Sequence, residues 1–411
     1  MADATTRDDI ADWVVDFMTD PTIDDPYPMM ARLRAREPVH RSRIGPWLFT
    51  RYEDVDQVPR DPRWSRFQAA STELGYAPDL AEELAAALRA SLMMLINRDE
   101  PDHRRIRQIL QHAFTPRAIE GWRRTVEGVV AAVVDAVADE DEFDFLRRVG
   151  YPVPEKVICE LMGVPHADHA LWGAWAAKSV ARNRVGAGDE RNLRDAQDAT
   201  LNFYRYFQDL VRERRKRPGQ DLISVLIAAE EAGDRLDEDE LIGTAIMLIT
   251  AGHETTANMT GNGIYLLFRH PDQRALLQAD AALVPGAVEE MLRFEPTTRL
   301  GLPRVAAEDI EIRGTVIPAG SRAVVVRPAA NRDPAVFPDP DRFDVTRRDN
   351  RHLSFGTGVH FCLGAQLARM EMQSTFSAVI GRMPDLELAE TPTWRASGVR
   401  SLNGLRVRRR R

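Results

Sequence analysis

Apolar residues recur at helical spacing along most of this chain. In Asp189 to Arg217, the residues Leu201, Tyr204, Phe207 and Leu210 return every three or four positions among charges. That pattern predicts an amphipathic helix whose charges form a solvated face. A second helix, from near Asp237 to about Pro271, is so apolar that it must be buried, and Asp237 and Glu240 stand at capping-box spacing at its start. Further helices are predicted from Pro101 onward, between Pro285 and Pro296, and after Cys362, where Leu367, Met370, Phe376, Val379, Ile380 and Met383 share a rough helical period. Strand signals are few. Val39 to Arg43 and Trp47 to Thr50 flank Gly45-Pro46 and predict a hairpin, with more strand material at Ile310 to Ile312 and Ala323 to Val326. The prolines at 334, 338 and 340 forbid a helix in Asn331 to Phe343. The prediction is a mainly α protein with a small β-rich part.

Length leaves the domain count open: 411 residues could hold two or three average domains or one large helical one, and neither repeats nor a low-complexity linker divide them. The formal charge of -8 and pI near 5.7 argue against a nucleic-acid or membrane-surface protein, either of which would show a basic excess. No apolar stretch reaches the roughly 20 residues of a membrane span, and the N-terminus lacks the basic-then-apolar pattern of a signal peptide. Two cysteines make a disulfide framework improbable and a cytoplasmic location the natural expectation. The arginines at 408 to 411 read as a frayed tail.

Two places break the hydrophobic pattern. Ala251-Gly252-His253-Glu254-Thr255-Thr256 inserts polar groups into the buried helix, a local conflict that marks function, although a kinked core helix with Thr255 bonded to its own backbone reads equally well from this segment alone. The other is Ser354 to Arg369, SFGTGVHFCLGAQLAR. Gly356 and Gly358 allow tight turns ahead of Cys362, and Gly364 removes a side chain where a flat macrocycle must approach. Amides of such a loop, with the dipole of the helix that Cys362 opens, keep a thiolate anionic and suited to a heme iron. Zinc wants about four ligands. The other cysteine, Cys159, sits among Val157, Ile158 and Leu161 and reads as core.

Phe355, Gly358, His360, Cys362 and Gly364 fill Phe-x-x-Gly-x-His-x-Cys-x-Gly, which resembles the heme-binding signature of the cytochromes P450, the heme-thiolate monooxygenases. The resemblance extends over nearly the whole chain and implies a single P450 domain over residues 1–411, with heme b (iron protoporphyrin IX) between the long central helix and the cysteine helix. It makes Cys362 the axial metal ligand and sets Phe355, Gly356, Gly364 and Ala251 against the cofactor. Glu254 and Thr255 become an acid-alcohol pair that relays protons to dioxygen. His103 and Arg107, four apart and so on one helix face, match the family's propionate contacts, as do Arg304 and His360. Glu290, Arg293 and Arg342 match its structural Glu-x-x-Arg and arginine trio. The substrate pocket would draw on the Phe67 to Leu95 connection, including Met93 and Leu95, on Trp172 to Val180, and on Met247, Ala251 and Leu300-Gly301. Arg299 could anchor a substrate carboxylate, with a surface-pointing arginine as the simpler expectation.

The activity implied is insertion of one oxygen atom of O2 into a hydrophobic small molecule, in natural-product tailoring. No flavin or iron-sulfur domain is recognised, so the electrons would come from a ferredoxin and its NAD(P)H-dependent reductase. Arg104 or Arg105 should point outward to steer that acidic donor. A peroxide-driven peroxygenase and a non-catalytic heme sensor or ligand carrier are the alternatives.

Overall fold

In the computed structural model, the described residues are 7–20, 22–74, 82–169, 171, 175, 178, 190–229, 236–395 and 399–410. Helices dominate. The central one, Glu238–Arg269, has 32 residues, about 48 Å of rise. Its capping box forms: the Asp237 side chain accepts from the Glu240 amide and the Glu240 carboxylate from the Asp237 amide. Leu241 through Ile249 are all buried. The helix packs against Glu82–Met93, Pro152–Met162, Glu190–Lys216 and the cysteine helix Ala365–Arg382. Together these bury the largest apolar cluster, including Phe203, Phe207, Val157, Phe376 and the core thiol Cys159. The cysteine helix begins at Ala365, capped by Gly364, so Cys362 precedes its first turn rather than opening it.

The expected hairpin is β1 (Val39–Arg41) and β2 (Trp47–Phe49). With β3 (Trp64–Ser65), β5 (Arg304–Ala306) and β8 (Arg322–Val325) it forms a five-stranded sheet ordered β1-β2-β8-β5-β3, in which only β2 and β8 run parallel. Side chains alternate across it as the pleat requires. Leu48 and Val324 join one cluster with Ile10, Val14 and Phe17 of the first helix, while Phe49, Ala323 and Val325 join another with Trp64 and Leu353. Both faces are therefore covered, and β5 and β8 deliver their ends to the cysteine loop. A separate hairpin, β6 (Ile310–Ile312) and β7 (Thr315–Ile317), turns at Arg313 and Gly314.

A third sheet corrects the expected frayed tail. β10 (Arg406–Arg409) is its central strand, between β4 (Glu142–Asp144) and β9 (Leu386–Leu388). Arg408 pairs with Glu387 at 2.8 Å and Arg409 with Asp385 at 2.8 Å, so carboxylates across the ladder compensate the basic run. Arg411 lies outside the described residues. No helix among the described residues is long and apolar enough to cross a membrane.

Candidate active site at the cysteine loop

The loop before Cys362 is pinned by backbone groups. The Leu353 amide donates to Asn331 at 2.7 Å, the Cys362 amide to the Phe355 carbonyl at 2.9 Å, and the Thr357 hydroxyl to the Asp56 carbonyl at 2.9 Å. Gly356 and Gly358 take left-handed φ of 74° and 68°. At Gly358 a Cβ would also stand 2.7 Å from the Pro59 carbonyl oxygen, so no larger residue fits. Burial pushes the Cys362 thiol up, and the Gly364 amide followed by Arg327, Arg107 and Arg369 pulls it back toward the thiolate. Arg369 stacks on Phe355 at 4.4 Å and forks onto Glu289 at 2.7 and 2.9 Å, while His352 meets the same carboxylate at 3.1 Å.

Beside the loop, basic groups converge. His103 is 1% exposed, its ring nitrogens make no hydrogen bond among the described residues, the Glu100 carboxylate lies 3.6 Å from Nδ1, and its ring lies 4.3 Å from that of His360. Burial, then the charge of Arg304 and of His103, lowers the His360 pKa to about 2. Arg107 reaches the Phe361 carbonyl at 2.8 Å. Arg304 makes one hydrogen bond, to the Trp64 carbonyl at 3.2 Å, and burial holds its pKa down to about 10. The structure thus brings His103, Arg107 and Arg304 near His360.

On the central helix, Ala251 and Thr255 are exposed within an otherwise buried length, four apart and so on one face. The helix is continuous there. Thr255 donates from Oγ1 to the Ala251 carbonyl at 2.9 Å, the self-bonding alternative weighed above. Glu254 does not face Thr255: it meets Arg395 at 3.0 Å, and Arg395 also donates to the Tyr151 hydroxyl at 3.1 Å. Burial raises the Glu254 carboxyl against the pull of Arg395.

Two expected residues take other places. Glu290 and Arg293 are fully buried and paired, Nε to Oε2 at 2.7 Å and Nη2 to Oε1 at 2.8 Å. The arginine that joins them is Arg347, 3.2 Å from Glu290, not Arg342. Arg342 offers only its carbonyl to Arg293, and its exposed side chain turns to Asp344. The irregular Pro338–Asn350 path, with Asp339 at positive φ, swings position 342 outward and 347 inward. Arg299 is neither surface-pointing nor in a pocket. It is 7% exposed, lies 4.6 Å over the Phe17 ring and bonds the carbonyls of Phe17 and Asp20.

Of the other pocket candidates, Leu95 and Met247 are buried in the main cluster, the Met93 sulfur accepts from Arg98 at 3.1 Å, and Leu300 packs partly on the first-helix cluster. Most of Trp172 to Val180, and residues 75–81 of the earlier connection, lie outside the described residues. Arg105 turns inward to Glu240, whereas Arg104 is exposed and pairs with Glu100 at 3.0 Å. Motif matching missed Arg327, Arg347, Arg369 and Arg395. Only Arg369, within the glycine-bounded stretch, carried a positional signal.

The chemistry of this donor set suits a heme. A single thiol faces opposing charges, no group of three or more metal-ligating side chains occurs among the described residues, and His103, whose Nδ1 lies 3.6 Å from Glu100, keeps a buried Nε2 without a hydrogen bond among the described residues, a place for a polar group of the kind a propionate supplies. A lone thiol in a glycine-turned loop beside buried arginines and histidines is a donor set of the kind a heme protein uses. The Cytochrome P450 family profile matches residues 187–383. Cytochrome P450 monooxygenase PikC of Streptomyces venezuelae is 39% identical, covering 94% of this chain and 92% of its own. The 6-deoxyerythronolide B hydroxylase of Saccharopolyspora erythraea is 37% identical over 93% and 96%. The crystal structure of P450BioI with hexadec-9Z-enoic acid ligated acyl carrier protein superimposes with a TM-score of 0.86 at 34% identity, covering 94% of this chain and 99% of that one. This chain belongs to the cytochrome P450 family, has its fold and is a P450 monooxygenase.

Proposed function

We propose that residues 1–411 act as one domain that holds heme b through Cys362 and hydroxylates or epoxidises a hydrophobic small molecule in natural-product tailoring in the cytoplasm. The balance is substrate, O2, two electrons and two protons giving oxygenated substrate and water. A ferredoxin and its NAD(P)H-dependent reductase supply the electrons. Hydroxylation draws support from relatives such as the 6-deoxyerythronolide B hydroxylase. Bound heme supplies the activation of O2 and the transfer of one oxygen atom.

The observation that carries this reading is the glycine-turned loop that pins Cys362 beside His103, Arg107, Arg304 and His360; burial pushes the thiol up, and the Gly364 amide and three arginines work against that rise. His103, Arg107, Arg304 and His360 would hold the propionates. Glu254 has the raised carboxyl that can carry a proton inward once it leaves Arg395. Thr255 has spent its proton on Ala251, which leaves its lone pairs to accept from a water and hold it in the cleft. Reduced protein with carbon monoxide should show the far red-shifted Soret band of thiolate ligation. Retention of that band in Cys362→Ser would remove the assignment.

A further inference from the structure

We propose that Arg327 is an additional cofactor-binding residue, whose guanidinium holds a carboxylate at the heme edge between the Gly301 and Gly356 segments. The proposal rests on the reading that this chain binds heme at Cys362, and it deepens that reading by adding a group that the motif positions do not include.

Arg327 is the first residue of the short helix Arg327–Ala330, directly after β8 and Val326. Its Nη2 lies 3.2 Å from where a Cβ on Gly356 would stand and 3.7 Å from where one on Gly301 would stand. Gly356 therefore leaves room for this guanidinium, while Gly301, whose Cβ would collide with Val325 at 2.4 Å, stands at ordinary contact distance from it. The Gly356 segment is the cysteine loop, and the Gly301 segment leads into β5, which carries Arg304. The guanidinium is deeply set, yet the residue keeps intermediate exposure.

Among the described residues, no carboxylate pairs with this guanidinium and no hydrogen bond reaches it. Burial lowers its pKa to about 10, and the one charge that supports it is Cys362. A lone buried cation is costly, by several kcal/mol after relaxation, and the neighbourhood makes matters worse. Arg304 feels the positive charges of Arg66 and Arg327, with Asp99 as its one opposing carboxylate. Asp99 is already engaged by the Ser65 hydroxyl and the amides of Arg66 and Phe67. The site thus has surplus positive charge with planar, forked donors on it. That is the chemistry that recognises a carboxylate.

Heme carries two carboxylates, and Arg107 and Arg304 already bring two forked guanidinium groups to the neighbourhood of His360. Arg327 supplies a third, at the start of the short helix that follows β8, which fixes its position. It also places a permanent positive charge near Cys362, so it favours the reduced over the oxidised cofactor, whose net charge is higher by one.

The test is heme transfer from the purified holoprotein to an excess of an apoglobin, with potentiometric titration alongside. Arg327→Met should release heme on the order of tenfold faster than wild type, the loss of one charged hydrogen bond. Its reduction potential should fall, and the thiolate carbon monoxide band should stay in place. Reconstitution with heme dimethyl ester, whose carboxylates are blocked, should close the gap in release rate. Arg327→Lys, which keeps the charge without the fork, should fall between the two and reports the same rate if the methionine variant does not fold. Equal release by Arg327→Met or Arg327→Lys and wild type overturns the proposal, as does a gap undiminished with the dimethyl ester. If wild type itself takes up no heme, the reading of the whole site fails instead.

Discussion

Two buried clusters of charge lie on either side of the cysteine loop, and they differ in how completely they satisfy themselves. Around Arg293, all five guanidinium donors are used: two on Glu290 and one each on the carbonyls of Asn331, Pro340 and Arg342. Glu290 is equally full, taking the Asp344 amide, Asn350 and Arg347 as well. Around Arg304 the opposite holds. Among the described residues one hydrogen bond serves that guanidinium, and the ring nitrogens of His103 make none, the Glu100 carboxylate lying 3.6 Å away. Equal burial therefore carries opposite meanings: a closed network is structure, and an open one is a site for something the chain does not itself contain.

The comparison breaks first at its strongest point. Arg293→Leu strands the Glu290 carboxylate and should cost about 3 to 5 kcal/mol, seen as a lowered urea midpoint or lost soluble yield. Arg304→Leu, which removes a cation opposed only by the already engaged Asp99, should cost the heme-free protein far less and weaken mainly heme retention. Similar losses from both substitutions in heme-free protein would erase the distinction.

Next in size is Thr255→Ala. Substrate binding and heme content should persist, while the fraction of NAD(P)H ending as peroxide rises, since proton delivery of this kind is typically worth about 10² to 10⁴ in rate. Unchanged coupling of NAD(P)H to product would move the relay elsewhere.

Glu289, next to Glu290 in the chain, is held by His352 and Arg369 beside the cysteine loop, and its behaviour with pH sharpens the contrast. Burial works against its ionised form, but His352 and Arg369 outweigh that and hold its pKa at about 2, below the ordinary 4.5. A depressed carboxylate adds stability above the unfolded value and loses it as pH falls through the folded one. The stability gap between wild type and Glu289→Gln should thus be full above about pH 4.5, up to about 3 kcal/mol, and shrink toward pH 2. A gap independent of pH in denaturant titrations would mean that the contact is mainly packing.

The smallest effect belongs to the surface. Arg104, 71% exposed, projects from the helix that holds His103 and Arg107. Arg104→Glu should slow reduction by ferredoxin several-fold at low salt, with the difference fading as salt rises. Equal rates at low salt would place the docking surface elsewhere, and Arg105, tied to Glu240, would not be the substitute.

What the chain discloses before folding follows the same division. The cysteine loop was legible because its geometry demands glycine at fixed offsets from one thiol, as the positive φ at Gly356 and Gly358 bears out. The central helix was legible from its period and capping box. Arg347 was not, because turns rather than a repeat decide which arginine of an irregular segment points inward. Strand β10 was hidden by composition, since a run of arginines reads as solvated until Glu387 and Asp385 come alongside. Arg299 and Arg327 were hidden by context. Each sits next to apolar residues, and whether such an arginine meets backbone carbonyls or an open cleft depends on segments far away in sequence.

Glu240 links the two walls of the site mechanically. The same carboxylate that caps the central helix also receives Arg105, at 2.9 and 2.5 Å, from the helix bearing His103 and Arg107. Neither helix end can be displaced without disturbing the other. Loosening of the propionate side would be transmitted as fraying at the start of the helix that carries Thr255, and amide exchange in Leu241 and Ile242 would report it.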